Sequence, residues 1–93
     1  MDEHARSVTD AMAKLEEYRT HRLAREAQVL AELKKRGRGT APDLTRRVYG
    51  NELGGELFRA AEMTLRAHLK KLIDDRKVKV RMTKGEEVYE RSV

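Results

Sequence analysis

Three histidines, two pairs of adjacent carboxylates and a few serines are the residues of this 93-residue chain that could make or break bonds. His4, His21 and His68 form no His-x-His-x-Asp-His or His-Glu-x-x-His arrangement, so no two of them stand at the spacing a zinc or di-metal centre requires. Cysteine is absent, which removes thiolate ligands, disulfides and a thiol nucleophile. Asp74-Asp75 and Glu86-Glu87 lie in charge-rich surroundings, the setting of solvated surface groups rather than of an acid and base working together. Ser7 and Ser92 lie near the ends and have no base beside them. His68 sits among apolar residues at helical spacing and reads as a hydrogen-bonded structural histidine. The chain therefore reads as a non-enzyme that uses no metal and no cofactor.

The chemistry that remains is electrostatic. The formal net charge is +5, and the stretch Arg66 to Lys84 carries eight basic residues against only Asp74 and Asp75. Such a local excess attracts polyanions, although basic groups near a helix C-terminus also offset its dipole. Arg59, Glu62, Arg66 and Lys70 follow at spacings of three, four and four, which puts them on one face of a helix. Lys77, Lys79 and Arg81 alternate with apolar residues, as on one face of a strand, and Lys84 precedes a glycine at a turn. The expected nucleic-acid-binding set is Arg59, Arg66, Lys70, Lys77, Lys79, Arg81 and Lys84, with Arg46 and Arg47 as weaker candidates. The helical face lacks the Asn, Gln or Ser that would read base edges, so contact with the phosphate backbone is expected. Most of the four aromatics look buried, which argues against a base-stacking platform.

The elements that must hold these residues follow from periodicity and punctuation. From Ala5 to about Lys35 there is no Gly or Pro and strong helix formers dominate, so one long helix is predicted. Its apolar positions fall into two sets: Val8, Met12 and Leu15 in front, and Leu23, Ala27, Leu30 and Leu33 with Val29 behind. Arg19, Arg22 and Glu26 occupy the continuation of the first set. Gly37 and Gly39 end the helix. Thr40-Ala41-Pro42-Asp43 starts a short second helix with a capping residue and an early proline. Gly50 to Gly55 reads as a connector, since it lacks the Gly-x-x-x-x-Gly-Lys-Ser/Thr pattern of a phosphate cradle. A third helix over 56–75 places Leu57, Phe58, Ala61, Leu65, His68, Leu69, Leu72 and Ile73 on one broad face. Val78, Val80 and Met82 then point inward from a strand that turns at Lys84-Gly85 and returns over 87–91. The predicted fold is α+β and mostly helical: a winged helix-turn-helix of three helices plus a C-terminal β-hairpin wing, with an N-terminal helical extension. Residues 1–18 form the extension, continuous with the first helix, and residues 19–93 the winged-helix domain.

Tyr18-Arg19-Thr20-His21-Arg22-Leu23-Ala24-Arg25-Glu26-Ala27-Gln28-Val29-Leu30 resembles a family signature, His-Arg-x-x-Arg-Glu-x-Gln-Ile/Val-Leu with an aromatic three residues ahead of the histidine. The likeness continues through Thr40-Ala41-Pro42-Asp43-Leu44, Val48-Tyr49 and Ala67-His68-Leu69-Lys70-Lys71-Leu72. It is similar to the β-lactamase-associated winged-helix domain that follows the catalytic domain of metallo-β-lactamase-fold hydrolases, among them endoribonucleases and thioesterases. The resemblance implies a fold and an accessory role, because the metal ligands of those hydrolases lie in a preceding domain that this sequence lacks. It also singles out His21, Arg22, Arg25, Glu26 and Gln28 as family-motif positions, either docking on a hydrolase domain or forming an ion-pair and capping network within the helix.

Charge and resemblance together suggest a non-catalytic adaptor module that binds nucleic acid, RNA in preference to DNA, through backbone contacts. Two alternatives stay open. One is a protein-interaction module or subunit of a metallo-hydrolase or ribonucleoprotein assembly, docking or self-associating through Val8, Met12, Leu15 and Tyr18. The other is a DNA-binding transcriptional regulator. The short apolar runs and the N-terminal Met1-Asp2-Glu3-His4 suggest no membrane association and an intracellular, cytoplasmic location.

Overall fold

The computed structural model describes residues 3–92, with side chains from Thr9 to Ser92. Val8, one of the expected docking residues, lies outside the described side chains, as do His4 and Ser7. The elements run α1 (Glu3–Arg36), β1 (Arg38–Thr40), α2 (Ala41–Tyr49), α3 (Gly55–Asp74), β2 (Val78–Thr83) and β3 (Glu86–Arg91). This is a winged helix with a small antiparallel sheet in the order β1-β3-β2.

Local chemistry explains most boundaries. The Gly37 N–H donates to the Leu33 carbonyl at 2.7 Å and closes α1, whose last turn carries Lys34, Lys35 and Arg36. At the start of α2 the Asp43 N–H donates to the Thr40 hydroxyl at 3.3 Å, and Pro42 occupies the first turn, where no N–H is needed. Beyond α3 the N–H groups of Asp75, Arg76 and Lys77 bond back to Lys71, Ile73 and Leu72 carbonyls at 2.9 Å, so the chain enters β2 with its helix end satisfied. Lys84 and Gly85 have φ of 52° and 80°, the left-handed pair of a two-residue hairpin turn, and Thr83 lies opposite Glu86.

Strand β1 was not legible as a strand. Arg38-Gly39-Thr40 reads as the glycine-rich end of a helix, yet it pairs with Glu90, Tyr89 and Val88 of β3. Gly39 permits the fit: a Cβ there would meet Leu44 Cγ at 3.3 Å, closer than the packed leucine readily allows.

The core gathers one face of each element: Val29 and Leu33 of α1, Ala41 and Leu44 of α2, Leu65, Leu69 and Leu72 of α3, Val78 of β2 and Tyr89 of β3. Several expected core positions are exposed instead. On α1 the body-facing line is Glu26–Val29–Leu33 with Leu30 at its edge, while Leu23 and Ala27 face solvent. That line continues the spacing of Met12, Leu15, Arg19 and Arg22, so the front stripe and the core stripe are one face of one helix. Leu57 is exposed in the first turn of α3, and Val80 and Met82 are exposed because the hairpin extends past the helices that cover Val78.

Leu69 is almost completely enclosed, so Leu69→Ala should lower the unfolding free energy by about 2–5 kcal/mol. Thr40→Ala should cost about 1 kcal/mol through the lost cap. Leu57→Ala should stay within about 0.5 kcal/mol, and urea midpoints for the three variants would check this ranking.

Candidate functional site

The motif residues on α1 fasten the helices together. Arg25 stacks its guanidinium over the Tyr49 ring, 4.5 Å from the centroid, and its Nη1 donates to Gln28 Oε1 at 2.9 Å and to the Val48 carbonyl at 3.4 Å. The Val48 carbonyl belongs to the last turn of α2, which has no helical donor beyond it, so Arg25 caps α2 from α1. Glu26 is only 7% exposed, and its Oε1 lies 3.8 Å from Arg22 Nε. Neither of those atoms makes a hydrogen bond among the described residues. His21 is solvent-facing and pairs with Glu17 at 3.8 Å. The signature residues thus pair with one another and with Glu17 along α1, and Arg25 alone carries the network across to α2.

His68 enters the same seam from α3. It is 7% exposed and, contrary to the expectation of a hydrogen-bonded histidine, makes no hydrogen bond among the described residues. Burial is the main reason its pKa lies below the usual histidine value; the Glu26 charge opposes that fall, and Arg22 and Arg25 add to it. The neutral imidazole is therefore the favoured form beside the buried carboxylate. Among the described residues no three His, Cys, Asp or Glu side chains gather as metal ligands.

The basic residues form two surfaces rather than one track. On the solvent face of α3, Arg59 and Lys70 have no carboxylate partner among the described residues, whereas Arg66 Nε lies 3.3 Å from Glu62 Oε2. Lys79 and Arg81 project from the sheet face away from buried Tyr89, and both converge on Glu90 Oε1, at 3.8 and 2.8 Å. Arg38 stands in the same cross-strand row as Glu90 and Lys79. Lys77 and Lys84, at the base and tip of the wing, have no ion-pair partner among the described residues. Arg46 lies over the Phe58 ring at 5.3 Å, and Arg47 pairs with Asp43 at 3.2 Å.

Between the wing and the start of α2 a cleft of about 490 Å³ is lined by Arg46, Arg66, Met82, Glu86 and Glu87 among others. The Tyr89 hydroxyl donates to Glu87 at 3.0 Å, and burial, followed by that bond and charge, raises its pKa. Phe58 and Tyr49 are half-buried, which leaves Tyr18 as the one exposed ring among the described residues. Sequence reading missed the Glu90 clamp and the placing of Arg38 opposite it. Only the pairing register brings them together, although a lone acid between two wing cations was a visible signal.

Residues 40–86, half of the chain, match the family described as the β-lactamase associated winged helix domain. The match begins at the cap of α2 and ends in the wing, so the Arg25 clamp lies outside it.

Depression of the His68 pKa fixes the sign of a pH effect. The unfolded chain takes up the proton at about pH 6.5, before the folded one does, so stability should be constant above that value and fall as pH drops below it. Denaturant midpoints at pH 7.5 and 5.5 should differ for the native chain and converge for His68→Gln. An equal loss in both would assign the effect to carboxylates instead.

Proposed function

The chain belongs to the β-lactamase-associated winged helix domain family, and from that premise we propose that it is a non-catalytic accessory module that holds nucleic acid by its phosphate backbone, single-stranded RNA in preference to duplex DNA. The observation that carries this reading is the set of unpartnered cations, Arg59 and Lys70 on the solvent face of α3 and Lys77 and Lys84 at the two ends of the wing. Phosphates would displace the surface pair of Arg66 with Glu62 at little cost, whereas Lys79 and Arg81 join the contact while still flanking Glu90, whose Oε1 is buried between them. The exposed side chains of α3 include no amide to bracket an adenine, so sequence preference should be slight. An RNA strand can bend to visit both the helix face and the sheet face, which a stiff duplex cannot do without deformation.

Fluorescence anisotropy with a labelled single-stranded RNA of mixed sequence tests the reading. Affinity should fall steeply with salt. Arg59→Ala with Lys70→Ala should weaken binding to all sequences alike and lower the salt slope by up to about 0.7 per lost contact. Glu90→Gln should tighten binding, because it frees Lys79 and Arg81. Absence of binding at low salt, or an affinity indifferent to these changes, would overturn the proposal.

A further inference from the structure

The front half of α1 carries apolar surface that the core does not use. Met12, Leu15 and Tyr18 are 63, 68 and 68% exposed, and Met63 of α3 is 73% exposed. Three adjoining cavities of about 380, 470 and 270 Å³ open beside them, and Tyr18 and Arg22 line all three, so they make one groove along α1 and α3. Its walls are apolar at Met12, Leu15 and Met63. Of the cations in its lining, Arg22 is paired with Glu26 at 3.8 Å, Lys71 with Asp75 at 3.1 Å and Arg25 is held over Tyr49, which leaves Arg19 as the one without a partner among the described residues, beside the carboxylate of Glu16. Arg22 Nε is buried there, 3.8 Å from Glu26 Oε1, and the largely buried His68 lines the floor.

A groove between two helices suits a third helix with an apolar stripe, here one that also carries a carboxylate. The span from Met12 to Arg25 is about 20 Å, or between three and four helical turns. The chain itself supplies a helix of that kind: the front of α1, with Met12, Leu15 and Tyr18 beside Glu16. We propose that the groove is covered by a second copy of this protein, the two α1 helices crossing antiparallel near Tyr18. Each copy lays Met12 and Leu15 in the other's groove, and Glu16 of each meets Arg19 of the other. The two-fold arrangement makes every contact twice, so one stripe satisfies both partners. This surface lies on the α1 flank of α3 and does not rest on the proposed nucleic-acid contact.

Sedimentation equilibrium on the full chain tests it. The native chain should approach twice its 10.8 kDa mass. Glu16→Arg or Arg19→Glu alone should weaken self-association about tenfold or more, since each reversal turns two attractions into two repulsions. An equimolar mixture of the two variants should recover the dimer, because one Glu16–Arg19 pair then keeps its native sign and the other re-forms with the charges exchanged. Leu15→Glu should give a monomer that keeps the native circular dichroism and whose thermal midpoint, unlike that of the native chain, does not rise with protein concentration. A native monomer at about 1 mM overturns the proposal, whether the groove then takes RNA or the acidic helix of another protein. So does a dimer that ignores both charge reversals, or variants that fail to recover on mixing.

Discussion

Every other element of this domain is placed by the apolar line Leu65, Leu69 and Leu72 of α3. Those leucines are within 1% of complete burial, and Val29 and Leu33, Leu44, Val78 and Tyr89 share the same core from four different elements. Dispersion and the removal of apolar surface from water are short-ranged, so α1, α2 and the sheet must each turn one narrow face toward this line. The faces left over are the surfaces available for function. The α3 side with Arg59 and Lys70, and the outer sheet face with Lys79 and Arg81, are outside because the leucines and Tyr89 are inside.

Polar groups near the core divide the charges into those the fold uses and those it leaves open. Arg25 is consumed by Tyr49, Gln28 and the end of α2, and Arg47 by Asp43. Glu26 and His68 lie together in a seam of low polarity, where a neutral imidazole beside a carboxylate avoids the desolvation of a second charge. Of the residues shared with the family signature, Arg25 is explained by helix docking, and His21, Arg22 and Gln28 pair within α1. Basic residues remote from the seam retain their charge for a partner, and Glu90 restrains the two that lie on the sheet.

The long α1 links these two levels. Its rear half is held by the core and the Arg25 clamp, and its front half extends the same face beyond the body, which helps make the molecule 60 Å long and only 21 Å thick. A helix that keeps its apolar stripe after leaving its own domain presents a binding surface of fixed geometry. The charged residues at Arg19, Arg22 and Glu26 do not separate two unrelated faces; they are the polar stretch of a continuous one.

The sequence by itself determined the element order, the caps and the hairpin. Thr40 with Pro42, the glycines after α1 and α2, the break-free run of α1 and the Lys84-Gly85 turn act through local backbone chemistry, which needs no knowledge of distant residues. It also marked the basic excess around α3 and the wing, because charge is counted rather than positioned. Tertiary structure alone decided the rest. Periodicity limits the faces of α1 but does not choose among them, and the choice of Glu26–Val29–Leu33 over Leu23–Ala27–Leu30 was made by the shape of the α3 surface it meets. Strand β1 exists because β3 offers Gly39 and its neighbours a ladder of hydrogen bonds. The reach of Glu90 to two cations depends on cross-strand register, and the exposure of Val80 and Met82 depends on where the covering helices stop. These are long-range outcomes, settled by which surfaces can pack together rather than by the preferences of any one segment.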